Sequence, residues 1–238
     1  MKTVLFCGGK GERLREYESS RPKPLWTIAG KPLIWHVMNI YAMQGFSDFV
    51  LCTGYKHDEF VSYFVHNPET AWTIIFDNKG EDCPTGGRLE SALKFIDTDM
   101  FFCNYADGLS NILLPKLLEA HHTSGKMATL TAVKPVLPYG ILEIDDHNLV
   151  TQFREKPVID HWVNGGFFVF SNQIRKYLSA TDMLEEGPFS RLAADGQLNA
   201  FRHEGEWMCM DTYKDYMNLI RLMESTKPSW LKRDSFIR

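Results

Sequence analysis

The chain has 238 residues, of which 26 are basic and 30 are acidic, so its formal net charge is −4. Hydrophobic residues make up 44% of the chain and aromatic residues 13%, which is enough apolar surface for a packed core and excludes intrinsic disorder as the main state. Because dedicated nucleic-acid binders usually carry a basic excess, we expect no nucleic-acid partner.

The sequence carries no clear membrane or export signal. No run approaches the roughly 18 consecutive apolar residues of a membrane span, and the apolar run that ends at Cys7 is too short for a secretory signal. We therefore expect a cytoplasmic protein with no membrane partner. The five cysteines are scattered and odd in number, which favours free, buried thiols over a disulfide framework or a zinc site.

Apolar strand-like runs alternate with amphipathic helical runs in the first half of the chain. Strands are predicted at residues 3–7, 49–53, 72–76 and 100–104, and helices at residues 32–43, 59–66, 88–96 and 112–122. This order predicts a mostly parallel sheet with helices on both faces.

The second half has more strands and fewer helices. Strands are predicted at residues 128–133, 141–144, 149–153, 166–170, 198–202 and 207–210, and helices at residues 173–178, 188–194 and 213–224. No repeat or linker divides the chain, so we expect one α/β domain over residues 1–238. Residues 226–238 are expected to form a polar tail with little to pack against.

A glycine-rich loop follows the first predicted strand directly. Gly8, Gly9 and Gly11 allow backbone N–H groups to approach an anion closely, and Arg13 adds a cation suited to phosphate. Lys23 stands between two prolines, which we expect to hold it in an extended segment. The spacing matches neither a P-loop nor a dinucleotide-binding loop, and the alternative is a simple turn with a solvated lysine.

The loop, the Pro-Lys-Pro-Leu segment and a later Gly-Lys-Pro resemble the sugar-nucleotide pyrophosphorylases, which join a nucleoside triphosphate to a sugar 1-phosphate and release pyrophosphate. The resemblance is closest to the bacterial glucose-1-phosphate cytidylyltransferases and extends to about residue 224. Further matching segments are residues 31–36, 52–56, 85–89, 128–132, 155–157, 164–168 and 210–212.

The resemblance implies a Rossmann-like nucleotidyltransferase (GT-A-like) α/β fold with a mixed, mostly parallel central sheet flanked by helices. Residues of about 1–110 would bind the nucleotide and residues of about 111–225 the acceptor. The implied reaction joins CTP and a sugar 1-phosphate, most simply α-D-glucose 1-phosphate. Three alternatives remain: a different small phosphorylated acceptor, such as a polyol phosphate or an amino-acid derivative; use of UTP or dTTP; and an inactive regulatory subunit that binds nucleotide sugars.

Nucleotidyl transfer brings two anions together, so it needs cations and a divalent metal rather than a side-chain nucleophile. By resemblance, the catalytic residues are Arg13, Lys23 and Lys156. Asp107 and Asp211 would hold one Mg²⁺, although Asp211 could instead cap the helix predicted after it.

The resemblance also implies two groups of binding residues. The nucleotide-binding residues would be Gly8, Gly9, Lys10, Gly11, Arg13, Lys23, Thr85, Gly86, Arg88 and Asp107. The acceptor-binding residues would be Tyr139, Gly140, Glu155, Lys156, Asn164 and Gly165. Since members of the family often form oligomers, we expect a homo-oligomer.

Several positions depart from the family pattern. Ala106 precedes Asp107 where glycine is usual, and Asn111 replaces a second aspartate. Gly187 stands where a glutamate is usual, so a carboxylate near the acceptor is lost. These changes spare the expected cationic side chains and metal ligands, so they are compatible with nucleotidyl transfer but do not specify which phosphorylated acceptor is used. Among the histidines, we expect His36 to be packed and His121 to be solvated.

Overall fold

Strands and helices alternate along the first half of the chain, as the sequence predicts. The structure, a computed structural model, describes residues 1–11, 21–69, 71–232 and 236. The strands are β1 (Lys2–Phe6), β2 (Thr27–Ile28), β3 (Lys31–Pro32), β4 (Asp48–Thr53), β5 (Thr73–Asn78), β6 (Met100–Asn104), β7 (Gly108–Ser110), β8 (Ala128–Val133), β9 (Ile141–Ile144), β10 (Val150–Arg154), β11 (Val163–Ser171), β12 (Leu198–Arg202) and β13 (Trp207–Cys209). The α-helices are α1 (Leu33–Ala42), α2 (His57–His66), α3 (Thr85–Ala92), α4 (Leu114–Ser124), α5 (Pro188–Ala194) and α6 (Tyr213–Ser225).

Seven strands form the central sheet in the order β12-β8-β11-β6-β1-β4-β5. The pairs β1–β4, β1–β6, β4–β5 and β8–β12 are parallel. Strand β11 runs antiparallel to both β6 and β8 and so joins the two parallel groups. The prediction of a mixed, mostly parallel sheet is confirmed.

Apolar side chains cover both faces of this sheet because neighbouring residues of a strand point to opposite sides. In β1, Leu5 belongs to the cluster that packs on α1, whereas Val4 belongs to the cluster that packs on α3. In β6, Phe102 and Phe101 divide in the same way. Full burial of each such side chain contributes roughly 1.5–3 kcal/mol.

Two local predictions are wrong, and three short strands were not predicted. Helix α3 begins at Thr85 rather than Arg88, and its first turn contains Gly86 and Gly87. Glycine is required there because a Cβ would collide with the carbonyl groups of Asp182 and Ala180. The helix predicted at residues 173–178 is instead a 3-10 helix, Asn172–Tyr177. The short strands β2, β3 and β7 carry too few residues for a periodic pattern.

Two side chains expected to meet solvent are buried. Trp230, in the segment expected to be a polar tail, is 1% exposed and belongs to the core cluster around α1. Burial of its large aromatic ring removes much apolar surface from water, which is favourable. His121 is also buried and shares a hydrogen bond of 2.9 Å with the Thr129 hydroxyl. His36 is packed, as expected, with its Nε2 atom 2.8 Å from the Ile28 carbonyl oxygen.

The pair β9–β10 forms a two-stranded sheet apart from the central one. Cross-strand pairs of this hairpin include Ile144 with Val150 and Leu142 with Phe153, and all four side chains are exposed. They share one face, whereas Glu143 and Arg154 form an ion pair of 3.3 Å. The hairpin therefore presents an uncovered apolar face.

Among the helices that the structure describes, none combines the length and the apolar character needed to cross a membrane. All five cysteines are free thiols, as predicted, and Cys7, Cys52 and Cys103 are buried.

Candidate active site

A cavity of about 800 Å³ opens at the carboxyl ends of the parallel strands β1 and β6. In α/β sheets this edge is the usual ligand crevice. The residues that line the cavity are Gly9, Lys10, Gly11, Lys23, Glu81, Asp82, Thr85, Tyr105, Asp107, Met183, Glu185 and Asp211. Most of the predicted nucleotide-binding residues and both predicted metal ligands therefore meet in one place.

The glycine loop forms one wall of the cavity. Gly9, Lys10 and Gly11 line it, and Gly11 has a φ of +60°, a conformation that glycine adopts without strain. Lys10 makes an ion pair of 2.8 Å with Asp82 on the neighbouring segment. Gly8 is buried behind this wall, where a Cβ would overlap the guanidinium of Arg88.

Arg88 lies beneath the glycine loop rather than on the cavity surface. Its side chain is buried and donates to backbone carbonyl groups at or just after the ends of three neighbouring strands: Thr53 at 2.5 Å, Gly8 at 3.3 Å and Gly80 at 2.8 Å. A further bond of 3.3 Å reaches the carbonyl of Glu81. The guanidinium thus ties together the carboxyl ends of β1, β4 and β5.

Lys23 lies between the two predicted metal ligands. Its ammonium is 2.9 Å from Asp107 Oδ2 and 3.0 Å from Asp211 Oδ1. Burial lowers the pKa of Lys23, but the two carboxylates raise it more, so the net shift is upward. The lysine stays protonated and offsets part of the negative charge of the two carboxylates.

Lys23 is held by a turn whose other residues are buried. It starts the 3-10 helix Lys23–Leu25, in which Pro24 and Leu25 are buried. The expectation of an extended segment is wrong at this position, because Pro24 fits the first turn of a helix, where its missing N–H costs no hydrogen bond. The buried residues fix the turn and leave only the lysine side chain directed into the cavity.

Asp107 is positioned by a strained turn after β6. Ala106 has a φ of +65°, a left-handed conformation that costs a residue with a Cβ roughly 1–2 kcal/mol. The side-chain oxygen of Asn104 accepts a hydrogen bond of 2.8 Å from the Ala106 amide and stabilises the turn. Burial raises the pKa of the Asp107 carboxyl, Lys23 lowers it and Asp211 raises it, with a net upward shift.

Asp211 precedes helix α6 but does not cap it. Thr212 is the N-cap and forms a capping box with Asp215, so the alternative role for Asp211 is wrong. The Asp211 carboxylate faces Lys23 instead.

The two carboxylates fit a divalent cation. Asp107, Asp211 and Cys209 each offer a ligand atom, and these atoms lie within 4.8 Å of one another. Carboxylate oxygens are the ligands that hard cations such as Mg²⁺ prefer. The position of the Lys23 ammonium between the carboxylates shows that this point of the cavity attracts positive charge.

The opposite wall contains a carboxylate that the sequence analysis missed. Glu185 accepts a hydrogen bond of 3.0 Å from the Thr85 hydroxyl, which in turn accepts one of 2.8 Å from the Leu184 amide. Burial and the nearby Glu185 carboxylate raise the pKa of Tyr105. Gly187, where a glutamate was expected, therefore does not leave this wall without a carboxylate. No local motif marks Glu185, since only folding brings it next to Thr85, 100 residues away.

The predicted acceptor residues separate into two groups. Asn164 and Gly165 lie on β11 beside the cavity: Asn164 donates to the Tyr105 hydroxyl at 3.2 Å, and the Gly165 carbonyl accepts from the Trp207 indole at 2.8 Å. Asn111 does not line the cavity, and its side-chain oxygen is buried against Gly205.

The second group belongs to the β9–β10 hairpin and its flanks. Tyr139 is 74% exposed, and Gly140 packs against the ring of Phe153. Lys156 has a φ of +46° and pairs with Glu155 at 3.5 Å. None of the six predicted acceptor residues, all of which the structure describes, lines the cavity, although Asn164 bonds to Tyr105, which does. The predicted catalytic residue Arg13 lies outside the described residues.

A glycine loop after the first strand of a mostly parallel sheet, with a lysine and two carboxylates at the same edge, defines an α/β enzyme that handles phosphorylated nucleotides. The family model for nucleotidyl transferases matches residues 2–225. The chain belongs to the nucleotidyl transferase family.

Two relatives agree with this assignment, and a solved structure shares the fold. The chain is 38% identical to a probable glucose-1-phosphate cytidylyltransferase of Bacillus subtilis (strain 168), over 97% of this chain and 99% of the relative. It is 34% identical to the glucose-1-phosphate cytidylyltransferase of Salmonella typhi, over 97% and 98%. A structure of a putative glucose-1-phosphate thymidylyltransferase from Bacillus anthracis shares the fold, with a TM-score of 0.76 and 17% identity over 96% of this chain and 97% of that one.

Proposed function

We propose that the protein is a Mg²⁺-dependent cytidylyltransferase that joins CTP and a sugar 1-phosphate, most simply α-D-glucose 1-phosphate, to give a CDP-sugar and pyrophosphate. The observation that carries the proposal is the Lys23 ammonium held between Asp107 and Asp211 at the glycine-loop cavity. The names of the two cytidylyltransferase relatives support the choice of substrates.

In this reaction a phosphate oxygen of the acceptor attacks the α-phosphorus of CTP. The new P–O bond forms as the bond to pyrophosphate breaks, and the electron pair leaves on the pyrophosphate oxygen. The amides of Gly9 and Gly11 would bind the triphosphate, with Lys10 as a further cation. A divalent cation at Asp107 and Asp211 would supply charge stabilisation at the phosphates.

Lys23 would act in the transition state. Its ammonium pairs with both carboxylates and offsets part of their negative charge. The lysine side chain is flexible and acts as a point charge, so it can turn to the α-phosphate once the phosphates enter the cavity. Its charge would then stabilise the negative charge that develops there.

Arg88 would act as a positioning residue. Its bonds to the carbonyl groups after β1 and β4 hold the glycine loop from behind, so its role would be to fix the loop amides rather than to contact base or ribose. Gly8 would serve the same purpose by leaving room for the guanidinium.

The acceptor would lie between β11 and the β9–β10 hairpin. Asn164 and Gly165 on β11, and Glu185 in the cavity lining, offer polar groups for sugar hydroxyls. Tyr139, Gly140, Glu155 and Lys156 would complete the pocket from the hairpin, with Lys156 on the acceptor phosphate. Glu185 is a hydrogen-bonding carboxylate, which favours a hydroxylated acceptor such as a sugar.

We also propose that the chain forms a homo-oligomer and acts in the cytoplasm. The uncovered apolar face of the hairpin, formed by Leu142, Ile144, Val150 and Phe153, supports self-association. The use of a nucleoside triphosphate supports the cytoplasmic location.

The decisive experiment measures pyrophosphate release, with Mg²⁺, for each of the four NTPs against a panel of phosphorylated acceptors. The panel contains glucose 1-phosphate, other sugar 1-phosphates, glycerol phosphates and phosphorylated amino-acid derivatives. We expect turnover with CTP and glucose 1-phosphate. Turnover with another acceptor, or with UTP or dTTP, would change the substrate assignment but leave nucleotidyl transfer as the reaction.

An inactive binding subunit would give a different result. It would bind CDP-glucose without releasing pyrophosphate from any pair, and Asp107→Asn would change only its affinity. That outcome would overturn the proposed activity.

A further inference from the structure

Cys209 lies next to the two carboxylates of the candidate metal site. It is the last residue of β13, and its register partner on β7 is Gly108, the residue after Asp107. Asp211 follows it by two residues. The Cys209 Sγ atom therefore lies within 4.8 Å of a carboxylate oxygen of both Asp107 and Asp211.

We infer that Cys209 adds a sulfur donor to the divalent-cation site, so that the site binds thiophilic cations such as Cd²⁺, Zn²⁺ and Co²⁺ through one sulfur and two carboxylates. Mg²⁺, which prefers oxygen, would use the carboxylates alone. The inference rests on the proposed function only in placing the cation at Asp107 and Asp211.

The distances allow this coordination with little movement. A tetrahedral cation with bonds of about 2.3 Å to sulfur and about 2.1 Å to oxygen holds these donor atoms about 3.6 Å apart. The donor atoms here lie within 4.8 Å of one another, so side-chain rotations that move them by about an ångström bring them to coordination distance. The cation would replace the Lys23 ammonium between the carboxylates, and Lys23 would be released toward the phosphates.

The surroundings of Cys209 differ from those of the other cysteines. Cys7, Cys52 and Cys103 are buried within apolar clusters, where a thiol serves as a small core residue. Cys209 is half-buried and faces charged groups of the cavity. On cation binding the metal–sulfur bond forms as the thiol proton leaves to solvent, and the carboxylates keep their charge.

Cys83 provides a matched control. It is also half-buried and lies beside Gly87, away from the two carboxylates. Cys83→Ser removes a thiol of similar exposure without touching the cation site.

The test titrates the full-length protein with Cd²⁺ and with Co²⁺ and follows the ultraviolet sulfur-to-metal charge-transfer absorption. We expect one cation per chain with this absorption in the wild type and in Cys83→Ser. Cys209→Ser should lose the absorption and bind Cd²⁺ about 10- to 100-fold more weakly, and its Cd²⁺-to-Mg²⁺ affinity ratio should fall accordingly. Asp211→Asn should also weaken Cd²⁺ binding, because the carboxylate shares the cation.

Retention of the absorption in Cys209→Ser, or its loss in Cys83→Ser, would overturn the inference. Unchanged Cd²⁺ affinity in Asp211→Asn would overturn it as well, since the thiol would then bind the cation alone. Thermal unfolding of each variant verifies that it folds. If the wild type releases pyrophosphate with Mg²⁺ but Cys209→Ser leaves the Cd²⁺ affinity and the absorption unchanged, this inference alone is refuted. If the absorption depends on Cys209 but no pair of substrates releases pyrophosphate, only the proposed activity is refuted.

Discussion

The nucleotide side of the site and the β9–β10 hairpin differ in how firmly their functional residues are held. The side chains of Lys23 and Asp107 are 14% and 22% exposed and are bonded to each other at 2.9 Å. On the hairpin, Glu155 and Lys156 are 57% and 54% exposed and are 3.5 Å apart. Asp107 follows strand β6 of the central sheet, and Lys23 starts a 3-10 helix with buried residues. Glu155 and Lys156 instead follow strand β10 of a separate two-stranded sheet.

This difference teaches where the protein is preorganised. Groups that stabilise charge in a transition state work best when they are fixed before the reaction, and the strands β1, β4 and β6 provide that rigidity. A two-stranded hairpin alone is marginally stable in water. Under the proposed function, we expect a bound acceptor or a second copy of the chain to stabilise the hairpin, which is the less firmly held half of the site.

The largest expected effect is on the nucleotide side. Asp107→Asn removes a charge from the candidate metal site and should lower kcat about 10²- to 10³-fold. Pyrophosphate release with CTP and the preferred acceptor measures it. The matched control is Asp146→Asn, because Asp146 is exposed on the hairpin turn. Equal kcat values for the two variants would show that Asp107 has no role in catalysis.

The next effect is on stability. Arg88→Ala removes the group that binds the carbonyls after three strands and should lower the free energy of unfolding by about 3 kcal/mol. Arg154→Ala, which breaks the exposed pair with Glu143, should cost less than about 0.5 kcal/mol. Urea denaturation measures both values. A similar cost for the two variants would contradict the contrast between sheet and hairpin.

A third effect depends on pH. Burial lowers the pKa of His121 to about 4, whereas the unfolded chain has the ordinary value of about 6.5. The folded state disfavours the protonated His121 imidazole. The contribution of His121 to the free energy of unfolding is therefore fully present above pH 6.5 and is lost as the pH falls toward 4. By linkage, the wild type should lose about 2 kcal/mol more than His121→Gln between pH 7 and pH 5.

The control for this effect is His147→Gln, because His147 is exposed on the hairpin. Urea denaturation at several pH values should give His147→Gln the same pH dependence as the wild type. A wild-type dependence that survives in His121→Gln would show that another group is responsible.

A smaller effect concerns the acceptor. Lys156→Ala should raise the KM for the phosphorylated acceptor about 10-fold, as expected for the loss of one charge-assisted hydrogen bond, and leave the KM for CTP unchanged. Lys134→Ala is the control, because Lys134 is an exposed lysine paired with Asp160 at 2.8 Å. An increase in the KM for CTP instead would place Lys156 on the nucleotide.

The smallest effect on folding tests the apolar face of the hairpin. Phe153 is exposed, so Phe153→Ser should change the free energy of unfolding of the monomer by no more than about 0.5 kcal/mol. It should nevertheless reduce the molar mass measured by light scattering after gel filtration. Gln152→Ser, on the opposite face, should leave the mass unchanged. A monomeric wild type would contradict the proposed oligomer.

The central sheet was predictable because its strands are written in local patterns. Residues 100–104 form a nearly continuous apolar run and residues 128–133 alternate apolar residues with threonine, and the two segments form β6 and β8 within the predicted bounds. The glycine loop and Asp107 were also predictable, since residues that follow parallel strands must meet at one edge of the sheet. Asp211 was found only through the family resemblance, because it follows no parallel strand.

The sequence by itself determined the fold class and singled out the glycine loop, Lys23 and Asp107, because these depend on local periodicity and short motifs. The family resemblance added Asp211. Only the tertiary structure decided what surrounds them. Glu185 reaches Thr85, and the Arg88 guanidinium reaches the Gly8 carbonyl, across 100 and 80 residues of sequence. Trp230 is buried in the cluster that contains α1, which is distant in the chain. Such contacts have no local pattern, since they arise from the packing of whole strands and helices against one another.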